Sequence, residues 1–159
     1  MFNDFKPVLK ILLRFVILYV VMVLAYQFYL NQFKNTGLDP VSEWVANQAA
    51  FVQNFFGYHT QIVPGKPEQE TDWFYVSGRY VSRMVEGCNA ISVMVLFLAF
   101  VFAFYQGIRT FVFAALGFIF LHLINVLRIA GLNILLVEWP QYSKIGHDYL
   151  FPAIIYGSV

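Results

Sequence analysis

A chain of 159 residues that is 60% hydrophobic, 19% aromatic and 12% charged, with a mean hydropathy of +0.65, lacks the surface of a soluble domain, which is about 25% charged. Its net charge of +1 provides no basic face to neutralise phosphates, so nucleic acid is excluded as a partner. A single cysteine allows no internal disulfide; with no Gly-rich phosphate loop and no Cys/His pair at zinc spacing, neither metal nor other cofactor is expected.

The expected fold is mainly α: one integral membrane domain over residues 1–159, a polytopic helical bundle with an extracytoplasmic amphipathic helix and a short β-hairpin. The first span covers about 8–30, "VLKILLRFVILYVVMVLAYQFYL", enough to meet the ~20 residues that a bilayer requires. It is too long for a signal-peptide apolar region and has no small-residue cleavage site, so it is expected to be retained. Lys6, Lys10 and Arg14 crowd its start, which the positive-inside rule places in the cytoplasm.

An outer segment, 31–87, follows. Asp39-Pro40 has the form of a helix start, with Asp as N-cap and Pro in the first helical position. Val41, Trp44, Val45, Val52, Phe55 and Phe56 then recur at helical spacing against Ser42, Glu43, Asn47, Gln53 and Asn54. The pattern suits a helix lying flat on the outer leaflet or one packed on the spans, stopped at Gly57 in either case. Pro64, Gly65 and Pro67 force a loop. Trp73 to Val85, rich in β-branched and aromatic residues, is expected to form a hairpin with 58–63. Arg79 and Arg83 lie in it, either as solvated charges or, with Trp44, as substrate contacts.

Spans are expected at 89–105 and 110–132, joined by a turn holding Gly107 and the cytoplasmic Arg109. A last apolar segment, 148–159, stops after about a dozen residues, short of a full crossing. That points to a truncated chain or a missing C-terminal part.

The lone thiol, Cys88, stands in "VEGCNAIS", where polar chain gives way to an apolar run. It is either a small packed hydrophobe or a nucleophile at a membrane surface. A helix rises about 1.5 Å per residue, so Cys88 and Arg128, equally far from Ile108 in the turn, each lie roughly 30 Å from it, one hydrocarbon thickness. Both reach the outer face. Asn125, three residues before Arg128, shares its helical face. Arg128 is a snorkelling anchor or part of a site. His147, in "KIGHDYLFP", falls outside again, just before the last span. Thiol, imidazole and guanidinium together make the set that cysteine chemistry needs: nucleophile, acid/base and oxyanion donor. A helix N-terminus after Cys88 favours thiolate, whereas apolar burial opposes it. Glu86 could orient His147 or repel a thiolate. His122 reads as a packed, hydrogen-bonded histidine, and His59 as a surface loop residue.

"EGCNAIS", "NVLR" and "GHDYLFP", in this order beside spans, resemble the exosortase/archaeosortase family of membrane cysteine transpeptidases. The short chain and the "EGC" context look most like the compact F-type exosortases of Bacteroidota. The likeness covers Cys88 to Pro152 well and the first 87 residues loosely. It implies an enzyme of the bacterial inner (cytoplasmic) membrane, multi-pass, with its active site on the extracytoplasmic face. Such an enzyme cleaves C-terminal sorting signals of exported proteins and passes the acyl group to a cell-surface acceptor. Carried over, Cys88 would be nucleophile, His147 general acid/base and Arg128 oxyanion stabiliser, supported by Asn125 and Glu86. The partners implied are the exported protein, membrane lipid and the acceptor. Many members have Ser-Gly after the cysteine where this chain has Asn89-Ala90, and larger relatives have more spans, which leaves the substrate motif open. The competing reading is a non-catalytic membrane subunit with Cys88 as packing. A transporter fragment fits less well, because the ionisable residues gather at one face instead of lining a path.

Overall fold

The structure, a computed structural model, describes residues 6–142 and position 157. Helix α1 (Lys6–Phe33) is apolar along its length, and none of its residues is buried. Helix α2 (Pro40–Phe55) begins as its sequence dictates: the Asp39 carboxylate accepts from the N–H groups of Val41 and Ser42, with Pro40 behind it. Two of the helix's orphan donors are thereby satisfied. Gly57, at φ +87, follows its end. Strands β1 (Thr60–Pro64), β2 (Asp72–Val76) and β3 (Arg79–Met84) form an antiparallel sheet in chain order. Helices α3 (Ile91–Ala103) and α4 (Ile108–Glu138) follow, and then a 3₁₀ turn, Pro140–Tyr142.

Helices α1 and α4 are long and apolar enough to cross a membrane. α3 has 13 residues, about 20 Å of rise, and is too short to cross alone. The expected span 89–105 is therefore a 3₁₀ turn, Glu86–Asn89, feeding a short helix. α4 runs six residues past its expected end at 132. Within it Gly117 gives way to Phe97 of α3, whose ring occupies the space a Cβ would need.

The expected hairpin is instead a three-stranded sheet. β2 and β3 turn on Ser77 and Gly78, at φ +51 and +78, between the paired Val76 and Arg79. A two-residue loop with both φ positive matches the twist of antiparallel strands. One face of β2 is buried: Asp72, Phe74 and Val76 alternate with half-buried Trp73 and Tyr75.

Sheet, α2 and the second half of α4 share one core, made of Val45, Ala46, Ala49, Ala50, Phe74, Met84, Val126, Ile129 and Ala130. α2 is thus packed on α4, and its buried face is Ser42, Val45, Ala46, Ala49, Ala50 and Gln53. Phe55 and Phe56 are exposed, and Trp44, also largely exposed, rests by one ring face against α4. Small residues bring two helices close, and aromatic rings on the far side suit an apolar surrounding.

Asp72 is buried at the start of the central strand, between Pro64 and Met84. Loss of hydration, reinforced by the nearby Glu43 carboxylate, raises its pKa, and a hydrogen bond from Gly65 N–H opposes that rise. A carboxyl raised on folding binds its proton more tightly in the native state, so stability falls as pH climbs from the unfolded value through the folded one. Asp72→Asn keeps an acceptor for Gly65 and removes the charge. It should raise the thermal midpoint at neutral pH and flatten the acid-side dependence of that midpoint.

Candidate functional site

Cys88 lies in the 3₁₀ turn Glu86–Asn89, half-buried against the core. Its backbone carbonyl is held from α4 by two donors: Asn125 Nδ2 at 3.0 Å and Arg128 Nη2 at 3.2 Å. Asn125 is fully buried and Arg128 nearly so. The equal-distance expectation is met although α3 is short. Helical side chains tilt towards the N-terminus of their helix, so Arg128 reaches back along α4 to the level of the turn.

Asn89 fixes the turn from the other side. Its Nδ2 donates to Tyr26 Oη of α1 at 2.8 Å and to Ser42 Oγ of α2 at 2.9 Å, while its Oδ1 accepts from Ile91 N–H at 2.9 Å. The last bond caps α3. Sequence reading passed over Asn89, although an Asn two residues before an apolar run has the form of an Asx turn. α1 is also joined to α2 through Tyr29, whose hydroxyl donates to Asp39 and accepts from Val41 N–H.

Ala90, where α3 begins, holds φ +60, a conformation that costs a non-glycine residue about 1–2 kcal/mol. Its buried methyl, packed beside Met94 and Leu121, returns about 0.8 kcal/mol. Ala90→Gly should therefore stabilise the protein by roughly 0.5 kcal/mol, seen as a higher thermal midpoint. Ala90→Val should lower that midpoint.

Other polar side chains of α4 meet separate segments. His122 bonds Gln48 Oε1 at 2.8 Å and stacks on Trp44 at 4.7 Å between ring centroids, in keeping with a packed, hydrogen-bonded histidine. Asn133 accepts from Ser82 Oγ at 2.6 Å, and Glu138 accepts from Tyr58 Oη at 3.0 Å. That carboxylate raises the Tyr58 pKa. Glu86 is exposed on the turn, as are Arg79 and Arg83 on β3 and His59 before β1. His147 and the segment 148–159 lie outside the described residues.

The fold thus brings Cys88, Asn125 and Arg128 to one point and stacks Trp44 on His122. Among the described residues no group of three or more His, Cys, Asp or Glu could hold a metal ion. A family model described as a transmembrane exosortase matches residues 6–159. No curated protein and no solved structure matches the chain.

Proposed function

This chain belongs to the transmembrane exosortase family, and on that premise we propose that it is a membrane cysteine transpeptidase or protease acting on C-terminal sorting signals of exported proteins. The observation that carries the reading is the double hold on the Cys88 carbonyl by Asn125 and Arg128. That hold fixes the turn so that the thiol is carried beside a buried guanidinium.

In the proposed reaction His147 takes the Cys88 thiol proton, and the thiolate attacks the scissile carbonyl of the substrate. The new C–S bond places negative charge on the carbonyl oxygen. A guanidinium carries five N–H donors in one plane, so the group that holds the Cys88 carbonyl can also turn donors towards that oxyanion. Collapse breaks the peptide C–N bond, and the leaving amine receives the proton from His147. The acyl-thioester left on Cys88 then passes to an acceptor nucleophile or to water, which regenerates the thiol. The turn with Cys88 and the outer segment would face the extracytoplasmic side of the inner membrane, with the 106–109 turn in the cytoplasm. Glu86 is a candidate to orient His147; Arg79, Arg83 and Trp44 are candidates to contact substrate.

One observation favours a second reading, a non-catalytic membrane subunit: Cys88 packs against the main core. The experiment that separates the two incubates the protein with an exported protein bearing a C-terminal sorting signal, then measures intact mass after acid quench. An acyl adduct on Cys88 that disappears on hydroxylamine treatment is the expected result. Cleavage without any Cys88 adduct, in conditions that slow deacylation, would rule out the cysteine mechanism.

A further inference from the structure

A roomy groove lies at the other end of the bundle. It measures about 810 Å³ and runs between α1, α3 and α4, lined by Leu96 and by Phe15, Phe97, Phe100, Phe104 and Phe113, with Arg109 also on its wall. That volume is in the range of small-molecule sites. α1 runs antiparallel to α3 here, since Tyr26 meets Asn89 and Phe15 meets Phe100, equally spaced along both helices. By that register the first turn of α1, with Lys6 and Lys10, is level with the turn that carries Arg109.

The charges at this end are all of one sign among the described residues. No Asp or Glu occurs in 6–38 or in 87–137, so α1 and all of α4 before Glu138 carry cations alone and α3 carries no charge. The described carboxylates belong to the segment 39–86 and to Glu138, which bonds Tyr58 at the Cys88 end. A cationic rim above a phenylalanine-lined slot calls for an occupant with an anionic head and a flexible apolar chain. A second helix would fit it poorly, because five bulky rings oppose the close approach on which helix pairs in lipid depend.

We propose that this groove binds an anionic phospholipid, with its phosphate on Arg109 at the level of Lys6 and Lys10 and an acyl chain along the phenylalanines. Basic pockets between membrane helices attract anionic headgroups, and one basic residue near such a surface changes binding about fivefold. The assignment does not depend on the chemistry at Cys88.

The test uses the full chain in nanodiscs of equal phosphatidylglycerol and phosphatidylcholine, with retained lipid read by native mass spectrometry. The unaltered protein should retain phosphatidylglycerol over phosphatidylcholine. Arg109→Gln should cut that preference about fivefold, Arg109→Lys should keep most of it, and Lys34→Gln, the same charge change at the far end of α1, should leave it unchanged. Leu96→Trp, which narrows the groove with every charge in place, should also reduce retention. With photoreactive benzoylphenylalanine at position 100, the expected cross-link is to lipid. A cross-link to a second copy, to another protein or to residues 143–159 overturns the proposal, as does a phosphatidylglycerol preference that survives both Arg109→Gln and Leu96→Trp.

Discussion

Cys88→Ala is expected to reduce cleavage of a sorting-signal substrate to background while leaving the protein folded. The two halves of this expectation have separate causes. The bonds from Asn125 and Arg128 end on the Cys88 backbone carbonyl, which alanine retains, so the turn keeps its anchor. The side chain lost is small and only half-buried, so the stability change should be about 1 kcal/mol or less. Turnover depends wholly on the sulfur if an acyl-thioester forms, because the Ser42 and Tyr26 hydroxyls nearby are engaged by Asn89. Cys88→Ser is the stricter variant, since it keeps nearly the same volume and removes the acidic, polarizable thiol. Substrate cleavage measured beside the thermal midpoint decides the matter. Undiminished processing by a folded Cys88→Ala protein would end the catalytic reading.

Arg128→Lys should lower kcat by about 10²–10³-fold with little change in KM. The lysine keeps the positive charge, and a membrane anchor would work almost as well with it. What disappears is the planar fork, which lets one group hold the Cys88 carbonyl and face an oxyanion together. Asn125 still donates to that carbonyl in the variant, so the turn should not collapse. A loss confined to kcat marks an interaction made in the transition state; a loss confined to KM, or no loss, would leave Arg128 an anchor.

Much of this arrangement was legible in the sequence because it follows local rules. Asp39-Pro40 and Gly57 bound α2 through capping and positive-φ chemistry. Counting from Ile108 put Cys88 and Arg128 at one level, and their contact bears that out. Other features escaped for physical reasons. The Ser77-Gly78 turn lies inside a run of strand-forming residues, and serine gives a weaker positive-φ signal than asparagine or aspartate. Which face of α2 meets the spans was left open, because hydrophobicity separates inside from outside only in water. In lipid, Phe55 is content outside, while Ala46 and Ala49 mark the contact by size. Asn89 ties three helices together, but two of its bonds join residues 63 and 47 positions away, beyond what neighbouring residues reveal.

The long helix α4 also governs when the protein can take shape. It is the last long helix described to emerge from the ribosome, yet it holds the fixtures for α2, the sheet and the Cys88 turn. Gln48, the Cys88 carbonyl, Ser82 and Tyr58 meet it across separations of 74, 37 to 40, 51 and 80 residues. Contacts of such separation form only after long stretches of chain have been ordered, which makes them late. A nascent chain whose sheet and α2 have already emerged must therefore keep them waiting, with the inner faces of Phe74 and Ala49 uncovered, until Asn125 to Asn133 has been made. Birth order and assembly order run in opposite directions in this protein, and an arrest of synthesis near residue 120 would leave Cys88 tethered but without its seat.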